Sequence, residues 1–319
     1  MKIVVLDGDT LSLKDVSWDP IAKLGELTVY ERSAPDEVLP RAKGCECLFT
    51  NKTVLSADVI AQLPELRYIG VLATGYDVVD VAAAKARNIP VCNVPTYGTT
   101  SVAQLAIALI LEHYLAVGAH SRHVAEGGWA RYPDYSYQLQ PLRELSGRTI
   151  GFIGFGRIGQ RTADIAGALG MNIVASDPVH SDQSARKNFR WVELDELYAV
   201  SDVISLHCNL TPENKGMINK DSIAKMKPNA LIVNTARGGL IKELDLLDAL
   251  KSKRVAGAAL DVISQEPPVN GNILIGAPNA IVTPHIAWSS VEARSRLMDI
   301  AAASLESFLN GKTVNCVYR

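Results

Sequence analysis

The chain has 319 residues, of which 48% are hydrophobic and 21% charged, with a formal net charge of −2. That length allows two domains with separate cores, and the near-neutral balance offers no bulk field for nucleic acid or an anionic membrane surface. Five scattered cysteines without a CxxC pair suit reduced thiols in a cytoplasmic protein, and Cys45 and Cys47 lack the matching ligands of a metal site.

The chain opens with MKIVVLDGD, which reads as a strand and carries no signal-peptide series. KIVVLD, LTVY, ECLFT, LRYIGVL and IPVCN are expected to be strands, with SADVIAQL and VVDVAAAKAR as helices between them. Apolar strands alternating with helices predict a parallel sheet covered on both faces. One helix is expected from Thr100 to about Val124. Its apolar stretch, Val102 to Leu111, is too short to span a bilayer and leads into Glu112 and His113. Residues 126–143 show little periodicity but hold Trp129, Tyr132, Tyr135 and Tyr137, aromatics of the kind that cover a core or a partner. A second α/β series follows: TIGFIG, NIVASD, DVISLH, ALIVNT, VAGAALDV and AIVTPH as strands, with ELDLLDALKSK among the helices. The last helix, SSVEARSRLMDIAAASLESFLNG, is expected to return to the first series.

The most informative segment is Thr149 to Gly170, TIGFIGFGRIGQRTADIAGALG. A short apolar run passes through Gly154, Gly156 and Gly159 into an amphipathic helix, and Asp177 closes the next apolar run. Strand, glycine-rich turn, helix, strand and acid in that order make a dinucleotide-binding unit. Gly154 permits the tight turn, Gly156 lets backbone approach a pyrophosphate, and Gly159 lets the helix lie close on the strand. The N–H groups of the first turn, at Arg157 and Ile158, would face the phosphates with the positive end of the helix dipole. Asp177 would accept from the ribose hydroxyls and repel a 2′-phosphate, so NAD is favoured over NADP. The fold class follows: α/β, with two Rossmann-like, doubly wound parallel-sheet domains. The first, over 1–99 plus 287–319, is discontinuous and flavodoxin-like. The second, over 100–286, is the NAD-binding Rossmann domain. Hinges are expected near Gly98–Ser101 and Pro284–Trp288, around a cleft whose closure would exclude water.

Three polar residues stand at or beyond the ends of strands in the second series, where a doubly wound sheet places its ligands. Arg237 follows ALIVNTA, Glu266 lies in SQEPP beyond VAGAALDV, and His285 follows AIVTP. Together they suit reduction of a 2-keto acid or the reverse oxidation. The Arg237 guanidinium can fork onto a carboxylate and polarise the neighbouring carbonyl. His285 can deliver or accept the proton. Glu266, paired with His285, would orient the ring and favour its charged form. The remaining histidines, at 113, 120, 123, 180 and 207, lack such company and read as structural.

The segments VLATGYDVVD, NVPTYGTTSVAQLAIALIL, ELSGRTIGFIGFGRIGQ, VNTARGGLI, ALDVISQEPP and TPHIAWSSVEAR resemble the D-isomer-specific 2-hydroxyacid dehydrogenases, in order and over almost the whole chain. The resemblance implies an Arg–Glu–His active site at Arg237, Glu266 and His285. It implies that main-chain N–H groups at Ala73, Thr74 and Gly75 bind the substrate carboxylate. Val102, Gln104, Thr235, Ala236 and Asp261 would lie near the nicotinamide, Asp261 bonding its carboxamide, and Leu206, His207 and Cys208 by the adenosine. A homodimer through the long helix and the irregular segment is also implied. Within the family, ATGYDVVD, NVPTYGT and HIAW look most like the glycerate dehydrogenases and hydroxypyruvate reductases. The implied reaction is NAD(H)-linked interconversion of hydroxypyruvate and D-glycerate, with glyoxylate or glycolate as a side pair. Lys52, in TNKTVL, could reach the substrate mouth. The rival readings are a formate or phosphite dehydrogenase of the same fold and an NAD-sensing transcriptional corepressor. The related formate enzymes carry glutamine where Glu266 stands, which argues against formate.

Overall fold

Short apolar runs bounded by turn residues fold as parallel strands, several of them buried on both faces, as a sheet covered by helices requires. The computed structural model describes residues 1–12 and 14–318, in two compact units: Met1–Gly98 with Trp288–Arg319, and Thr99–Ala287. The expected limits, 1–99 plus 287–319 and 100–286, each differ from these by one residue. Thr99 already begins a helix, and the Ala287 N–H is held by Asp261 of its own unit.

In the first unit the strands are β1 (Lys2–Val5), β2 (Glu26–Val29), β3 (Cys47–Thr50), β4 (Tyr68–Val71) and β5 (Val91–Cys92), ordered β2-β1-β3-β4-β5 and all parallel. This is the flavodoxin-like order, with its switch point between β1 and β3. Four short helices connect them: α1 (Asp19–Ala22), α2 (Val38–Ala42), α3 (Ala57–Ala61) and α4 (Val81–Ala86). Of these, α1 and α2 carry only a turn or so of apolar pattern and were not expected from the sequence. The C-terminal helix, Val291–Leu309, belongs to this unit. Ser290 caps it by accepting from the Ala293 N–H at 3.2 Å. Its Ala293, Leu297, Met298, Ala301 and Leu305 complete a core with Ile3, Val5, Phe49 and Leu72. Arg294, 8% exposed, reaches from it to both oxygens of Asp15 at 2.6 and 2.5 Å.

The second unit begins with α5 (Thr99–Leu115) and α6 (Val117–Ala125). One continuous helix was expected here. Instead the axis bends by 58° at Ala116, whose φ of 47° lies in the left-handed region. A residue there cannot continue a right-handed helix, and nothing in the identity of an alanine announces it. No single helix among the described residues is long and apolar enough to cross a membrane.

The strands of this unit are β6 (Thr149–Ile153), β7 (Asn172–Ser176), β8 (Phe189–Trp191), β9 (Val203–Leu206), β10 (Leu231–Asn234), β11 (Gly257–Leu260) and β12 (Ala280–Val282). Their order, β12-β11-β10-β9-β6-β7-β8, is a doubly wound sheet with its switch point between β6 and β9. The sequence reading missed β8. It is three residues long, incompletely buried and flanked by polar residues, so no apolar run marks it. The helices α7 (Arg157–Ala168), α8 (Leu194–Val200), α9 (Lys220–Lys225) and α10 (Glu243–Lys251) cover the faces, and the C-terminal helix becomes α11. One core packs α5 and α7 on Phe152, Ile173 and Val233; the other lies under α8, α9 and α10.

Candidate active site

The glycine turn leaves β6 and enters α7. Gly154 has φ +87°, and a Cβ there would stand 2.6 Å from the Cys208 amide nitrogen. Both conformation and space therefore require glycine. Gly156 precedes the helix with no capping side chain, and a Cβ added to it would meet no other atom within 4 Å, so its surface is open to an incoming group. A Cβ on Gly159 would lie 2.7 Å from the Gly154 carbonyl oxygen, so the first turn of α7 sits tightly on the turn it leaves. The first amides of a helix have no intrahelical acceptors, and a glycine N-cap with no capping side chain suits them to a pyrophosphate.

Asp177 follows β7, the strand paired with β6. Its carboxylate accepts from the Phe155 N–H at 2.6 Å and the Val179 N–H at 2.8 Å, which ties it to the glycine turn. His207 and Cys208 follow β9 on the other side of β6, with their backbone against Gly154. The His207 ring stacks on Phe152 at 5.6 Å and shares a 2.9 Å hydrogen bond with Ser205 Oγ. Burial lowers its pKa to about 4 and raises that of Cys208, so both are neutral near pH 7.

Arg237 comes from β10. Asn234, fully buried at the end of that strand, organises the loop: its Oδ1 accepts from the Ala236 N–H and its Nδ2 donates to the Arg237 carbonyl, both at 2.9 Å. The exposed Arg237 side chain donates from Nη1 to the Ala236 carbonyl at 2.8 Å. The Thr235 hydroxyl is buried without a partner among the described residues. A polar atom left so pays a desolvation cost, and one at the carboxyl edge of this sheet fits a carboxamide-bearing cofactor. A Cβ on Gly238 would stand 2.0 Å from Ile263 C and O, so the Arg237 loop lies directly on the chain leading to Glu266.

Glu266 and His285 meet. Glu266 Oε2 is 2.5 Å from His285 Nδ1, and Oε1 accepts from the Ile263 N–H at 3.0 Å. An ionised carboxylate only accepts, so Nδ1 carries a hydrogen and Nε2 is the nitrogen left for a substrate. His285 has φ +54°, uncommon for a non-glycine residue, and its N–H donates to the Asp261 carbonyl at 2.8 Å. The buried Asp261 clamps this segment: its carboxylate accepts from Thr283 Oγ1 at 2.6 Å, the Ile286 N–H at 2.9 Å and the Ala287 N–H at 2.8 Å. Desolvation raises its pKa against those bonds. Anchoring the His285 segment is the role that the structure shows for Asp261. Since β10, β11 and β12 are adjacent and parallel, Arg237, Glu266 and His285 leave the same sheet edge from three neighbouring strands, about 5 Å apart per strand.

In the first unit, the loop after β4 uses the Ala73 and Thr74 carbonyls, which accept from the Val94 N–H at 3.0 Å and Asn93 Nδ2 at 2.7 Å. The N–H groups of Ala73, Thr74 and Gly75 have no acceptor among the described residues. Lys52 follows β3 as Ala73 follows β4, two residues beyond the paired Thr50 and Val71. Its side chain is exposed, while its loop is held by Asp7, whose buried carboxylate accepts from the Asn51, Lys52 and Thr53 amides.

The family model for the D-isomer specific 2-hydroxyacid dehydrogenase, NAD binding domain, matches residues 107–287. A hydroxypyruvate reductase of Blautia hydrogenotrophica is 51% identical over 99% of both chains. The chain belongs to the D-isomer specific 2-hydroxyacid dehydrogenases. A glycerate dehydrogenase of Methylorubrum extorquens is 40% identical over 99% of this chain and 98% of its own. The apo-structure of D-lactate dehydrogenase from Escherichia coli superposes with a TM-score of 0.87 at 28% identity, covering 98% of each chain. This 2-hydroxyacid dehydrogenase is thus an NAD-binding oxidoreductase whose family acts on small 2-hydroxy and 2-keto acids.

Two local loop supports, one in each unit, were missed from sequence. Asn234 was read only as the end of an apolar strand, and Asp7 only as part of the opening strand; a polar residue closing an otherwise buried run was the available signal. Of the residues implied to lie near the nicotinamide, Val102 is buried in the first turn of α5 and Gln104 is exposed on it. His113 packs under Gly257, where burial lowers its pKa, and His180 stacks on Trp191 at 4.4 Å.

Proposed function

We propose that this dehydrogenase interconverts hydroxypyruvate and D-glycerate with NAD(H), and accepts glyoxylate as a secondary substrate. The observation that carries the reading is the 2.5 Å contact between Glu266 and His285 beside the loop of Arg237. It supplies an acid–base pair that a carbonyl reduction needs and that a hydride transfer alone does not. The similarity to a hydroxypyruvate reductase and a glycerate dehydrogenase supports the choice of substrate.

Gly154, Gly156, Arg157, Ile158 and Gly159 hold the pyrophosphate, Asp177 the ribose, His207 and Cys208 the adenosine side, and Thr235, Ala236 and Asp261 the nicotinamide end. When bound, the nicotinamide supplies a hydride to C2 in reduction and takes it back in oxidation. Arg237 forks onto the substrate carboxylate and polarises the carbonyl oxygen. The amides of Ala73, Thr74 and Gly75 take the same carboxylate. His285, oriented through Nδ1 by Glu266, gives the proton from Nε2 to the carbonyl oxygen and recovers it in the reverse direction. The negative charge of Asp177 supports NADH over NADPH. We assign the protein to the cytoplasm as a homodimer, using α5, α6 and the segment after them, where Trp129 is 51%, Tyr132 43% and Tyr135 97% exposed.

The test is spectrophotometric. Loss of NADH and of NADPH is followed with hydroxypyruvate, glyoxylate, pyruvate and a branched 2-keto acid, for the wild type and for Arg237→Ala and His285→Ala. Hydroxypyruvate with NADH should give the highest kcat/KM, and each variant should lose at least about 10²-fold. Turnover near wild type in either variant overturns the mechanism, and a preference for pyruvate or the branched acid overturns the substrate.

A further inference from the structure

We propose that Cys92 and Cys316 are the two halves of a reversible intrachain disulfide, formed by exchange with a small disulfide of the glutathione class. Cys92 ends β5, the edge strand of the first sheet, and pairs with Cys316 in an antiparallel bridge. The flanking hydrogen bonds run from the Asn93 N–H to the Asn315 carbonyl at 3.1 Å and from the Val317 N–H to the Val91 carbonyl at 2.9 Å. That pattern makes Cys92 and Cys316 a non-hydrogen-bonded pair, whose Cα atoms stand about 4.5 Å apart with both side chains on one face. A disulfide spans Cα separations of about 4.4–6.8 Å, so the bridge closes without moving backbone.

The surroundings favour this pair over the other thiols. The Cys92 thiol lies beside both the Cys316 thiol and the Tyr68 hydroxyl. The segment carrying Cys316 is fixed in register, since Tyr318 Oη donates to the Ile89 carbonyl at 2.6 Å and Asn315 Nδ2 to Ser304 Oγ at 3.0 Å. Cys316 is half-buried and open to a small reagent, whereas Cys92 is only 2% exposed. Cys45 and Cys47 are fully buried, and Cys208 belongs to the other unit.

The order of events follows from that asymmetry. The Cys316 thiolate attacks one sulfur of oxidised glutathione, the glutathione S–S bond breaks, and one glutathione thiolate leaves. The Cys92 thiolate then attacks the Cys316 sulfur of the mixed disulfide and expels the second glutathione. Two cysteine thiols are oxidised, one glutathione disulfide is reduced to two thiols, and the cysteine protons pass to the leaving thiolates. Burial pushes the Cys92 thiol up to about 12, so the second step is slow at neutral pH and speeds up about tenfold per pH unit. The bridge also fixes the strand end that supports the Ala73–Gly75 loop, because Asn93 and Val94 are the residues bonded to it.

The experiment incubates the full chain with oxidised glutathione at pH 7 and pH 9, quenches by alkylation, and maps cysteine-containing peptides by mass spectrometry with and without dithiothreitol. The expected product links the Cys92 and Cys316 peptides, forms faster at pH 9 and disappears on reduction. Cys316→Ser, a near-isosteric change whose folding is checked by thermal melting, should keep Cys92 alkylatable in the unfolded quench and give no cross-link. Glutathione retained on Cys316 with Cys92 still free at pH 9 overturns the proposal, as does a cross-link through Cys45 or Cys47.

Discussion

Gly238→Ala is the sharpest probe of how the site is positioned. The added Cβ would stand 2.0 Å from Ile263 C and O, whereas ordinary contact begins near 3.4 Å. The Arg237 loop and the Glu266 chain must therefore separate by more than 1 Å. Both neighbours are backbone, so no side chain can rotate away. Gly238 has no left-handed φ, and the penalty is steric alone. Overpacking of this kind costs about 1–3 kcal/mol of stability. A displacement of about 1 Å at reacting groups costs on the order of 10²-fold in rate, near 2.7 kcal/mol. NADH affinity should change by less than about 1 kcal/mol, fivefold, because the pyrophosphate turn leaves β6, two strands from β10. The assays are kcat/KM for hydroxypyruvate, NADH dissociation by fluorescence, and thermal melting. A folded Gly238→Ala protein within threefold of wild-type turnover would refute the argument. So would parallel loss of NADH binding and turnover, which would make the contact a cofactor support.

Glu266→Gln can accept from only one of the Ile263 N–H and His285 Nδ1–H groups that Glu266 now satisfies; kcat for reduction should fall about 10²-fold with NADH binding unchanged, and steady-state kinetics with a fluorescence titration checks both. Ala116→Gly relieves the left-handed alanine at φ 47° and should stabilise by about 1 kcal/mol, raising Tm by roughly 2–4 °C; a lower Tm would show that the bend is held by something other than backbone conformation. His207 is held neutral, its pKa lowered by burial to about 4. The unfolded chain therefore binds more protons between about pH 6.5 and 4, and the stability contributed above pH 6.5 is lost as pH falls through that window. From pH 7 to pH 5 the loss is on the order of 2 kcal/mol, and urea titrations of wild type and His207→Gln should differ in pH dependence by that amount.

How much was legible depended on how local the signal was. A glycine turn declares itself because φ +87° at Gly154 and the close approach at Gly159 exclude every side chain, whatever the rest of the chain does. Apolar runs declare buried parallel strands, and polar residues after them mark the sheet edge where ligands bind. Arg237, Glu266, His285 and Asp177 could therefore be picked out as candidates from order alone. Other features needed pairing between distant segments. Asp261 became the clamp on His285 only because parallel register sets β11 and β12 side by side. The bend at Ala116 and the strand at Phe189–Trp191 were invisible because neither residue type nor periodicity changes there. Cys92 and Cys316 lie more than two hundred positions apart, and their spacing says nothing; the edge of a folded sheet makes them neighbours. Backbone chemistry within a few residues is written in the sequence, whereas the meeting of side chains from separate strands is decided by burial and hydrogen-bond register across the whole fold.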